Sequence, residues 1–176
     1  MPAAAIAALL AMPLAACSPT QPTRSPTPTP VHTALFASDA EALKAATDAY
    51  AAYQHVTDEV LHAGGQGADR YEKVALGSAL EKALDGARQF REKGLHTTGE
   101  SRFDSVQLQE RSSKSVSFYV CDDVSDTDLL NSSGQSQAAA SGTKRTPWQV
   151  EAKADGGSTL LISKRDFWTG SDFCQS

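Results

Sequence analysis

Apolar residues in this chain recur every three to four positions as far as Gly94, and every second position beyond it. A side chain returns to the same face of a helix after about 3.6 residues and to the same face of a strand after two, so helices come first and sheet second. Ser38 and Glu41 open the first stretch as a Ser-x-x-Glu capping box, whose hydroxyl and carboxylate each satisfy a free backbone N–H. Leu43, Ala46, Tyr50, Tyr53, Thr57, Val60 and Leu61 follow at helical spacing, up to Gly64 and Gly65. The same signature predicts a short helix from Asp69 and Glu72 through Tyr71, Val74 and Ala75 to Gly77. It predicts a third from Ser78 and Glu81 through Leu80, Leu84 and Ala87 to Gly94.

Strict alternation marks the strands. Val116, Phe118 and Val120 alternate with Ser117, Tyr119 and Cys121, and Trp148, Val150 and Ala152 with Gln149, Glu151 and Lys153. Two further strands are predicted, one between Ser101 and Gln109 through Phe103 and Val106 or Leu108, the other between Thr159 and Trp168. The Ser/Gly/Asp-rich run from Asp123 to Gly142 reads as a loop, and Asp155 to Gly157 as a tight turn. Helices followed by four antiparallel strands make an α+β fold.

The chain has 176 residues, 16 basic and 21 acidic, with a net charge of −5. One globular unit is the expected organisation, and nucleic-acid binding is not expected, because it needs clustered Lys and Arg. Residues 1–16 are Ala, Leu, Ile, Met and Pro only, too short a run to span a bilayer and the right length for the apolar part of a secretory signal. Leu14, Ala15, Ala16 and Cys17 resemble the lipobox of bacterial lipoproteins. That resemblance implies cleavage before Cys17, lipid on its thiol and an extracytoplasmic domain anchored to the cell membrane. Residues 17–37 then read as the lipidated cysteine and a Pro/Thr/Ser-rich tether, able to extend about 60 Å. With Cys17 set apart, Cys121 and Cys174 are an even count, and in an exported domain they read as a disulfide. No C-x-x-C supports a redox or metal pair instead.

Residues 38–176, through the helix start Gly77–Leu84, the Gly94–Gly99 stretch, the strand VSFYVCDD and a late tryptophan strand closed by a terminal Cys, resemble the NTF2-like (cystatin-like, SnoaL-like) superfamily. The resemblance implies three N-terminal helices packed on a curved four-stranded antiparallel sheet, a cone. Related domains bind small molecules, dimerise through their sheets, or act as isomerases and cyclases with an interior carboxylate. Asp104, Asp122, Tyr50, Tyr53, Tyr71 and Tyr119 are the available residue types, and no motif turns any of them inward.

Two clusters point to metals and are better read as solvated surface. His55, Glu59 and His62 share one helix face, opposite the apolar stripe; Asp122, Asp123, Asp126 and Asp128 lack the glycine and the spacing of an EF-hand loop. No metal, cofactor or catalytic residue is therefore expected. The expected role is a membrane-anchored, non-catalytic domain that binds a small apolar ligand or an envelope protein, with Phe118, Trp148 and Trp168 as the candidate surface and a homodimer as one possible state. The alternatives are an isomerase- or cyclase-like enzyme using an interior carboxylate, and an interaction module of an envelope complex.

Overall fold

The capping box at Ser38 forms: Ser38 Oγ accepts from the Glu41 N–H at 3.1 Å, and the Glu41 carboxylate reaches back one residue further than expected, to the Ala37 N–H at 2.8 Å. Behind it runs helix α1, Asp39–His62, in a computed structural model that describes residues 35–137, 143–157, 159–171 and 173–174. The signal segment 1–16, Cys17 and most of the tether 17–37 lie outside the described residues. The other two capping boxes do not form. Asp69 and Glu72 sit in a 3-10 helix, Ala68–Lys73, entered through Gly67, and α2, Gly77–Lys93, starts at Leu76 with no side-chain cap. The Ser78 hydroxyl instead donates to the Ser163 carbonyl at 3.4 Å, because the helix start packs on the sheet and a tertiary acceptor lies nearer than the orphan amides.

Two chain reversals require glycine. Gly65 has φ +83°, and a Cβ there would lie 2.0 Å from the Ala87 carbonyl oxygen of α2; Gly99, at φ +78°, would meet the Asp126 carbonyl at 1.9 Å. Both glycines let backbone approach backbone, which any side chain would prevent.

Beyond Gly94 the strands are β1 His96–Thr98, β2 Arg102–Arg111, β3 Ser115–Asp123, β4 Asp128–Leu130, β5 Arg145–Ala154 and β6 Leu160–Phe167. The main sheet is antiparallel in the order β2-β3-β5-β6, and β1 pairs with β4 in a separate two-stranded ladder. The alternation read from the sequence sets its faces. Val116, Phe118, Val120, Val150 and Ala152 are buried under the helices, whereas Ser117, Tyr119 and Gln149 take the other face.

The helices do pack against a four-stranded antiparallel sheet, but the curved NTF2-like cone is not built. The sheet is open: its edge strands β2 and β6 do not pair with each other, and β6 is bridged on its outer side only at Ile162, which bonds the Val74 carbonyl and the Leu76 N–H. Neighbouring strands turn by only about 20–25°, so four of them cannot bring the edges together. The three-residue strands β1 and β4 bond to each other and do not extend the wall.

Tyr50 packs edge-on against Phe103 at 5.1 Å and Phe118 at 5.9 Å, and Tyr53 leans on Tyr71 at 6.0 Å. No described helix is long and apolar enough to cross a membrane.

Candidate functional site in the cleft between α2 and β6

Three charged or polar side chains meet inside the domain. Asp122 ends the buried row of β3, Tyr50 comes from α1, and Arg165 lies on β6 at the position paired with Val150, which points it at the helices. The Tyr50 hydroxyl donates to Asp122 Oδ1 at 2.8 Å and accepts from Arg165 Nε at 2.9 Å, while a second guanidinium nitrogen bonds Asp122 Oδ2. Both carboxylate oxygens are therefore occupied. Burial pushes the Asp122 carboxyl up, against the pull of Arg165. Burial also opposes the Arg165 charge, but Tyr50 and Asp122 outweigh it and hold the guanidinium protonated.

Arg165 continues outward to a cleft of about 310 Å³ lined by Tyr53, Ala79, Lys82, Trp148, Asp166 and Phe167 beside it. Its guanidinium carbon lies 3.4 Å from the centre of the Trp148 ring, and Phe167 stacks on that indole at 4.1 Å. Phe167 is 66% exposed, and with Leu84 it is one of the two large hydrophobic side chains left exposed among the described residues. Lys82, from α2, donates to Asp166 at 2.6 Å across the mouth. Neither Asp122 nor Tyr50 lines the cleft, so Arg165 stands between the interior carboxylate and anything bound there.

The three aromatic residues singled out from the sequence do not meet. Phe118 is fully buried under the helices and Trp148 walls the cleft. Trp168 lies across the opposite sheet face, 4.5 Å from Tyr119, where Phe173 joins it. Beside them Cys121 and Cys174 form a disulfide, both sulfurs buried, and Arg145 Nε donates to the Cys174 carbonyl at 2.9 Å. Cys17 lies outside the described residues.

Asp104 is drawn off to Arg145 at 2.7 Å. Glu59 pairs with Arg70 at 3.0 Å and lines a wider polar recess with His55 and His62, and among the described residues no group of three or more His, Cys, Asp or Glu is placed to hold a metal. Sequence reasoning passed over Arg165, Lys82 and Phe167. The available signal was a cation in the predicted last strand, two residues from an aromatic of the same face.

The buried phenols set a limit in alkali. Burial raises Tyr50, Tyr53 and Tyr71, the last from 10.0 to about 12. Above pH 10 the unfolded chain loses phenolic protons that the folded one keeps, so stability is intact below about pH 10 and falls as pH rises toward 12. Tyr71 alone contributes a loss of about 2 kcal/mol by pH 12. Urea midpoints between pH 9 and 12, with recovery on return to pH 8, check this, and Tyr71→Phe should flatten the decline.

No family model matches the chain, and no curated protein does. Among solved structures, the intermembrane space region of chloroplast protein ARC6 is similar to it, with a TM-score of 0.52 and 13% identity over 71% of this chain and 95% of that one. LinA superposes at a TM-score of 0.46 with 16% identity, covering 74% of this chain and 91% of its own. A protein from Catenulispora acidiphila does so at 0.42 with 14% identity, over 69% and 86%. At such identities the ARC6 likeness shows the fold alone: helices laid on one face of an antiparallel sheet. The assignment to a bacterial lipoprotein with an NTF2-like domain is therefore corrected. Its domain half fails on the open sheet, and its lipobox half falls on residues outside the described ones.

Proposed function

We propose that this chain is a non-catalytic interaction domain that works outside the reducing cytosol and seats an apolar side chain of a partner protein in the cleft between α2 and β6. The observation that carries the reading is Phe167, held 66% exposed against Trp148 at the cleft mouth. A phenyl ring left in water costs free energy that covering it recovers, and aromatic residues in such pockets are the usual anchors of interfaces. The extracytoplasmic setting is supported by the buried Cys121–Cys174 disulfide and by the apolar run at 1–16. An enzyme using the interior carboxylate is disfavoured, because Asp122 has Tyr50 on one oxygen and Arg165 on the other, and Arg165 screens it from the cleft.

A photo-crosslinking residue at position 167, compared with one at Gln107 on the far edge strand, tests this. A discrete protein adduct is expected from 167 and not from 107. The purified adduct protein should bind the domain at least tenfold more weakly when Phe167→Asp is introduced, with the melting temperature unchanged. Equal adducts from both positions, or binding indifferent to Phe167→Asp, would overturn the reading.

A further inference from the structure

We propose that the partner group seated in this cleft joins a large apolar side chain to an adjacent carboxylate, the apolar group lying on Trp148 and Phe167 and the carboxylate going to the ammonium of Lys82. The inference rests on the docking reading and adds the chemistry of the partner. Two ammoniums share one acid at the cleft mouth: Lys82 Nζ lies 2.6 Å from Asp166 Oδ1, and Lys164 Nζ lies 3.1 Å from Asp166 Oδ2. The charge of Arg165 is already matched by Asp122. One positive charge is left over, beside an exposed ring.

The Lys82 side chain is 59% exposed, and its bond to Asp166 is a surface ion pair, of the kind that contributes little and exchanges readily. A second carboxylate can therefore be taken at small cost. Trp148, which walls the cleft, carries a buried Nε1 donor without a hydrogen-bond partner among the described residues.

Trp148 is also the reporter. The chain has two tryptophans, so a nitrogen-15 spectrum shows two indole N–H resonances. Trp168, on the opposite sheet face with its Nε1 donating to the Ser171 carbonyl at 3.1 Å, is the internal control. The protein is titrated with the blocked tetrapeptide Gly-Phe-Asp-Gly and with its uncharged counterpart Gly-Phe-Asn-Gly.

The acidic peptide is expected to move the Trp148 indole resonance and leave that of Trp168 in place. It should bind about two- to fivefold more tightly than the amide, weaken as salt is raised, and lose its advantage in Lys82→Gln. Equal binding of the two peptides overturns the carboxylate inference and leaves docking in the cleft standing. If neither peptide moves the Trp148 resonance while Phe167→Asp still weakens the crosslinked partner, the inference fails and the docking reading survives. If both tests are negative, both fall.

Discussion

Arg165→Met should destabilise the domain by about 3–5 kcal/mol, the usual loss when one member of a buried ion pair is removed. Asp122 is 6% exposed and would keep only the Tyr50 hydroxyl as a donor. Without its cation the carboxyl group rises further above its unfolded value. The defect should then be small near pH 3, below the ordinary carboxyl value of 3.8, where the group is largely protonated in both states, and should grow as pH rises toward neutral. Urea unfolding at pH 3 and pH 7 measures both.

The companion experiment separates the ion pair from its setting. Asp122→Leu combined with Arg165→Met removes both charges and should recover most of the loss, since an apolar pair of similar volume often does as well as a buried salt bridge. Recovery stays incomplete while the Tyr50 hydroxyl, which bonds both partners, is left buried without either; adding Tyr50→Phe should return a further 1–3 kcal/mol, roughly the cost of an orphaned buried hydroxyl. An Arg165→Met protein within about 1 kcal/mol of the parent at pH 7 would show that Asp122 is not held as a charge.

The second large effect lies on the opposite face of the same sheet, one residue from Asp122 along β3. Replacing Cys121 and Cys174 by serine opens a loop of 53 residues and should lower stability by about 4 kcal/mol in the chain-entropy model. The total for a domain of this size is about 5–15 kcal/mol, so the serine form is expected to be marginal. The tail from Trp168 would still have the Tyr119 contact and the Arg145 bond to residue 174. The urea midpoint should fall well before the Trp168 fluorescence changes. If the midpoint moves by less than a tenth, the tail is held by its aromatic contacts and not by the disulfide.

Much of the architecture was legible in the residues because it depends on local rules. The Ser38–Glu41 box, the stripe through Ala46, Tyr50 and Tyr53, and the alternation in β3 and β5 follow from backbone geometry and from which side chains avoid water. The capping boxes at Asp69 and Ser78 misled for the complementary reason. A cap is one option for a hydroxyl, and Ser78 found the Ser163 carbonyl in the sheet. Strands β1 and β4 escaped notice because three residues are too few to show a period; they are held by pairing with each other, and β4 also by the bridge from Leu130 to Ser136.

The candidate site was less legible, and Phe118, Trp148 and Trp168 show why. Their strands could be read, but register and tail path put one in the core, one in the cleft and one on the opposite face. Arg165 is the clearest case. On a two-residue period it sits on the same face as Phe167, where an apolar residue belongs, and only Asp122, 43 positions away, and Tyr50, 115 away, account for a cation there.

The sequence by itself determined the order of helices and sheet and which strand faces turn inward, since each depends on neighbours along the chain; with three cysteines, the pairing of Cys121 with Cys174 was fixed by the structure. Only the tertiary structure decided that the sheet stays open, that the interior carboxylate is closed off by Arg165, and that Phe167 is left in water beside Lys82. Those outcomes depend on contacts between residues far apart in sequence, whose energies are fixed by distance and burial that no local pattern encodes.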